Sequence, residues 1–296
     1  MAVSELERAR ALFPSAPDVM LIESLLEDLG RKLELKSPTD LHLAASFQGV
    51  KEIQVAEMDW AGMLVPTGDG KFVIRVRKHD NPHRRNFTIA HEIAHTFLPG
   101  YAVIQHRCGG RSSLGFLGNR HLENLADAGA AELLLPRRFL SPIFESLAFD
   151  MGAIKRVAAS QHASLDATLR RFLRLTSRDA AVIDLRRSTV PDGSPRTTVH
   201  RVFSNSEWCP IAPLQLTGQW LPSSHPLCAI VDSAEASDVI DLSILRTTSR
   251  TAHISAISDP YIDNEGSPVM RSLILATPRR AKSVHAISHG RLPEAS

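Results

Sequence analysis

The stretch Phe87-Thr-Ile-Ala-His-Glu-Ile-Ala-His-Thr-Phe constrains this chain more than any other. It reads as a helix: Phe87, Ala90, Ala94 and Phe97 recur at helical spacing and form an apolar stripe. His91 and His95 stand four apart, so both imidazoles share one face. Glu92 sits at the edge of that face. A fold that buries the stripe draws these polar groups inward, where unpaired polar atoms are costly. The helix therefore needs a partner for them. Two imidazoles at i and i+4 can reach one metal ion, and a glutamate beside them can hydrogen-bond a water without being a ligand. By chance the five-residue pattern arises in about 3 of 100 chains this long, so the apolar helical context carries part of the weight.

A catalytic zinc site takes three protein ligands and keeps one position open. The next apolar helix, Glu123-Asn-Leu-Ala-Asp-Ala-Gly-Ala-Ala-Glu-Leu-Leu-Leu-Pro136, offers the best third ligand. Glu123, Asp127, Ala130 and Leu134 share a face, so the two acids are set among apolar neighbours rather than on an all-polar surface. Glu123 suits a ligand, and Asp127 one turn later can take the second N–H of a histidine. The small residues Ala126 and Ala128 to Ala131 let two helices approach closely. His106 and His121 compete for the third position, and with Tyr101 they are candidate donors to a developing oxyanion.

Elsewhere the pattern organises the chain without adding chemistry. Helices are expected over 4–13 and 18–35, a hairpin over 61–77 with a turn at Gly68-Asp-Gly70, and helices from Asn81-Pro82 to about Leu98 and over 119–135. The hairpin is a candidate edge strand for an extended peptide. Residues 101–118 read as a loop. Two short helices broken at 161–164, within 139–176, are compatible with a helix-turn-helix. Twelve Lys/Arg stand against six Asp/Glu between Arg137 and Arg201, too weak an excess to argue for specific DNA binding. After about 178 the texture becomes β: Ala180–Leu185, Thr197–Phe203, Leu242–Leu245 and Ser272–Ala276 read as strands, and 279–296 as a loose tail. The expected division is 1–138, 139–177 and 178–296.

The 296 residues carry a net charge of only +2, so global charge favours no nucleic-acid partner. No apolar run is long enough to span a membrane, and the first residues do not read as a signal peptide. Cys108, Cys209 and Cys228 are scattered and form no CxxC pair, which suits a reducing, cytoplasmic setting.

The segments Arg85-Asn-Phe-Thr-Ile-Ala-His-Glu-Ile-Ala-His95 and Glu123-x-x-Ala-Asp-x-x-Ala-Ala-Glu-Leu-Leu-Leu-Pro136 resemble the ImmA/IrrE family of bacterial metallopeptidases, in the same order and spacing. The hairpin with Gly62-Met-Leu and the helical stretch ending Arg170-Arg-Phe-Leu also fit, so the resemblance spans about 18–176. It implies an α+β fold: a zincin-like helical metallopeptidase domain with a small sheet, a helix-turn-helix-like segment and a β-containing, sensor-like C-terminal domain. It implies zinc on His91, His95 and Glu123, with Glu92 as the catalytic base. It implies cleavage of a helix-turn-helix repressor under stress or mobile-element control. Two positions depart from the family: Gly129 stands where a bulky apolar residue is usual, and Asp127 where Asn is frequent. Two rival readings are a regulator with a structural zinc site and a broad-specificity metalloprotease toxin. The intact Glu92 disfavours the first, and the extra C-terminal domain disfavours the second.

Overall fold

The computed structural model describes residues 3–101, 106–108, 120–205, 218–231, 235–241, 251–262 and 267–278. The chain is α+β and divides into two units, residues 1–178 and 179–296.

The first unit begins with α1 (Glu5–Leu12), started by a capping box in which Ser4 accepts from the Glu7 amide and the Glu7 carboxylate accepts from Ser4. Next, α2 (Asp18–Lys32) buries Leu21, Ile22, Leu26 and Leu29 at helical spacing. A short α3 (Leu41–Phe47), capped by Asp40, leads into a sheet of β1 (Val50–Ala56), β2 (Gly62–Pro66), β3 (Phe72–Arg77) and β4 (His106–Cys108), ordered β1-β3-β2-β4. Only the β1–β3 pair is parallel. The helix α4 (Pro82–His95) lies between β3 and β4 in the chain, with Asn81 accepting from the Arg84 amide and Pro82 filling a first-turn position that needs no N–H.

After α5 (Arg120–Leu134) come α6 (Arg137–Ser146), α7 (Met151–Ser160) and α8 (Leu165–Leu175), the last two capped by Asp150 and Ser164. All three fall within the first unit. Arg171 of α8 is fully buried and donates to Glu23 of α2, to Glu132 of α5 and to the Leu135 carbonyl. A buried guanidinium is tolerable only with its donors occupied in this way. Burial raises the Glu132 pKa, and Arg171 opposes that shift.

The hairpin expected over 61–77 forms as β2 and β3, but it is not an edge. β3 is paired by β1, and β2 is paired through Gly62, Met63 and Leu64 to β4, so the sheet's edges are β1 and β4. The expected loop over 101–118 hid β4, whose three residues show no usable alternation.

The second unit is built on an antiparallel sheet of β5 (Ala181–Thr189), β6 (Pro195–Ser204), β7 (Glu235–Asp241), β8 (Thr251–Ser258) and β10 (Pro268–Pro278), ordered β6-β5-β10-β8-β7. The two-residue β9 (Tyr261–Ile262) pairs with β10, and a short α9 (Pro226–Ile230) packs on the sheet. One face carries Ile183, Leu185, Val199, Ile254 and Ile274 into a core with Leu227 and Ile230. The strand read at 242–245 and the tail at 279–296 lie outside the described residues.

Candidate metal centre

Two helices make the centre, and small residues let them do so. Ala90 and Ala94 of α4 and Ala126 and Ala130 of α5 are fully buried. Gly129 lies where α5 meets α4 and α2: a Cβ there would stand 2.9 Å from the Ala94 Cβ and 3.3 Å from the Leu26 Cδ2. Gly129 is thus a glycine at a helix contact with no room for a side chain, with Ile22 and Leu26 of α2 against it.

This contact brings His91, His95 and Glu123 together. One ligand-type atom of each lies within 4.8 Å of the others. The separations are 3.0 Å between the two Nε2 atoms, 3.3 Å from His91 Nε2 to Glu123 Oε2, and 3.6 Å from His95 Nε2 to Glu123 Oε1. A tetrahedral ion with bonds of about 2.0–2.1 Å holds its ligands roughly 3.3 Å apart. The donor set therefore fits a small N/O-ligated cation. Both imidazoles are buried, whereas the Glu123 side chain is 35% exposed, so the cluster opens toward solvent on its α5 side.

Asp127 Oδ1 stands 2.9 Å from His91 Nδ1. A carboxylate only accepts, so Nδ1 carries the proton and Nε2 presents its lone pair to the cluster. Here Asp127 does what its place one turn after Glu123 suggests.

Glu92 is fully buried on α4 and is not among the three clustered donors. The β2 backbone covers it. A Cβ on Gly62 would come within 2.9 Å of Glu92 Oε1 and 2.2 Å of the Thr88 Cγ2. Only a residue without a side chain lets strand and helix pass so closely. Sequence reasoning did not single out Gly62 for the site, although an isolated glycine opening a strand is a signal of close backbone approach.

The rival ligands are placed elsewhere or lie beyond description. His121 Nε2 pairs with Asp18 Oδ2 at 2.8 Å, and Asp18 also receives Arg10 through both oxygens. Arg10 first, and then His121, holds the Asp18 carboxyl down at about 2. The Tyr101 ring packs on Phe72, 5.5 Å between centres. The His106 side chain lies outside the described residues.

Residues 31–173 match the model of the peptidase family M78, described as the IrrE N-terminal-like domain. Among solved structures, a Mycobacterium tuberculosis transcriptional regulator has a similar fold, with a TM-score of 0.54 and 14% identity, covering 87% of this chain and 75% of that one. No curated protein matches. Residues 31–173, which include α4, α5 and all three clustered donors, thus form a domain that matches the M78 peptidase family, the IrrE N-terminal-like domain.

Proposed function

We propose that the chain is a zinc-dependent endopeptidase whose metal is held by His91, His95 and Glu123 and whose general base is Glu92. The observation that carries this reading is the convergence of two imidazoles and one carboxylate at separations suited to a tetrahedral ion, beside a buried carboxylate outside the donor set. Zinc bound there would polarise a peptide carbonyl and acidify a water molecule. Glu92 would take the proton of the attacking water and pass it to the leaving amine. Asp127 would hold His91 in the tautomer that keeps Nε2 available.

The substrate we propose is a helix-turn-helix repressor, cut in the cytoplasm when a stress or mobile-element signal arrives. The match of residues 31–173 to the M78 family and the similar fold of a transcriptional regulator support a regulatory setting. The β-sheet unit after residue 178 gives the chain material beyond the peptidase domain through which access could be governed.

Two experiments test this. Metal analysis of purified wild type is expected to give about one zinc per chain. Glu123→Ala should lose it and His121→Ala should keep it, and the reverse pattern would reject the ligand assignment. New protein N-termini are then compared in cells making wild type or Glu92→Gln. One or two wild-type-dependent cuts in a helix-turn-helix protein fit the proposal. Dozens of unrelated cuts would point to a toxin, and none under any stress to a regulator without peptidase activity.

A further inference from the structure

The sheet of the second unit carries a charged cluster on the face opposite its apolar core. Side chains alternate along a strand, so Asp184 and Arg186 of β5 share one face while Ile183 and Leu185 point to the core. Across the ladders Asp184 faces Arg201, and Arg186 faces Arg271. Asp184 is fully buried, and its Oδ2 accepts from Nε and Nη2 of Arg201 at 3.2 and 2.9 Å. Its Oδ1 is also buried and receives no hydrogen bond. Arg271 is matched by Asp259. Arg186 is matched by nothing among the described residues, and its buried Nε donates to no acceptor. Its guanidinium lies 5.7 Å from the centre of the Tyr261 ring, which Arg271 approaches at 4.9 Å.

Three guanidiniums thus face two carboxylates, and Arg186 is the surplus. His200 adds no charge to this count at neutral pH, because burial and then Arg186 hold its pKa down. Buried polar atoms without partners are few in folded proteins, and each costs about 1–3 kcal/mol. Here two orphans of opposite kind stand two residues apart on one strand face, an N–H and a carboxylate oxygen. Their joint complement is a group with negative oxygens for Arg186 and an O–H for Asp184.

We propose that this face binds a phosphoryl oxyanion that carries an O–H beside its charged oxygens, either free hydrogen phosphate or a sugar phosphate. The anion would take paired hydrogen bonds from Arg186. Its hydroxyl would donate to Asp184 Oδ1. Sulfate has the same shape but no proton at neutral pH, so it would set a bare oxygen against the carboxylate. The half-buried Arg186 side chain is the solvent-facing part of the site.

Calorimetric titration of the full chain at constant ionic strength, with phosphate, glucose 6-phosphate and sulfate as probes, tests this. Phosphate or the sugar phosphate should bind at least about tenfold tighter than sulfate, and the tighter of the two names the source. Arg186→Met removes a half-buried cation that no carboxylate matches among the described residues, so it should keep the wild-type circular dichroism and lose phosphate binding. Asp184→Asn presents an amide donor instead of an acceptor and should shift the preference toward sulfate. Equal affinity for phosphate and sulfate, no binding of either phosphate probe, or unchanged binding in Arg186→Met would each overturn the proposal.

Discussion

A carboxylate's role at this centre follows from its neighbours more than from its identity. Glu92, Glu123 and Asp127 lie within two turns on two helices, yet one is buried outside the donor set, one joins the imidazoles and one holds a ring nitrogen. Glu92→Gln keeps the shape and removes the proton acceptor. It is expected to retain zinc and thermal stability while hydrolysis falls about 10²–10⁴-fold, measured by metal analysis, melting and cleavage together. Wild-type cleavage by this variant would exclude Glu92 as the base. Asp18 makes a second prediction at this scale. Its pKa is depressed from the ordinary 3.8 to about 2, so its contribution to stability is complete above the ordinary value and is lost as pH falls through about 2. The melting-temperature difference between wild type and Asp18→Asn should therefore be full near neutrality and close toward pH 2. A difference independent of pH would mean that the Arg10–Asp18–His121 link adds nothing as an ion pair.

Among the elements, the helices were the legible part. The Asn81-Pro82 start of α4, the Ser164 cap of α8 and the apolar repeat of α2 are all written in local residue types, and local chemistry decides them. Helical spacing also puts His91 and His95 on one face, whereas the approach of Glu123 to them depends on how α5 packs against α4, which spacing within either helix does not fix. Sheet order was not legible. Whether β2 is an edge depends on the distant three-residue β4, and β7 and β8 are joined by long-range pairing that neither segment announces. The cover over Glu92 escaped for the same reason, since Gly62 matters only through what crosses it. Gly129 gives an element-scale test. Gly129→Val forces α4 and α5 apart at Ala94, and overpacking of this kind costs about 1–3 kcal/mol. The variant should melt lower and bind zinc more weakly. A gain in stability, as expected if a bulky residue fits there, would show that the contact is looser than described.

For the molecule as a whole, α7 and α8 have the outline of a DNA-reading pair, but most of its cations are engaged, and the exposed ones that remain are Lys155 and Arg156 on α7. Arg170 is paired with Asp166, Arg174 with Glu23, and Arg171 is buried among α2 and α5. Two exposed cations on one helix are few for a phosphate backbone that is held mainly by available Lys and Arg, so no sequence-specific DNA binding is expected. A gel shift that resists competitor DNA and weakens steeply with salt would overturn this. Among the described residues no helix is long and apolar enough to cross a membrane. Gly62 and Gly129 carry a consequence of another kind. Neither supplies a functional group, yet each sits where any added carbon meets a neighbour. Tolerance to mutation will therefore not map onto chemical involvement. In a saturation library scored for metal retention and turnover, half-exposed Asp127 should accept some exchange. Gly62 and Gly129 should accept almost none, so a reader of such a library who looked only for reactive side chains would miss two of the positions on which the centre depends.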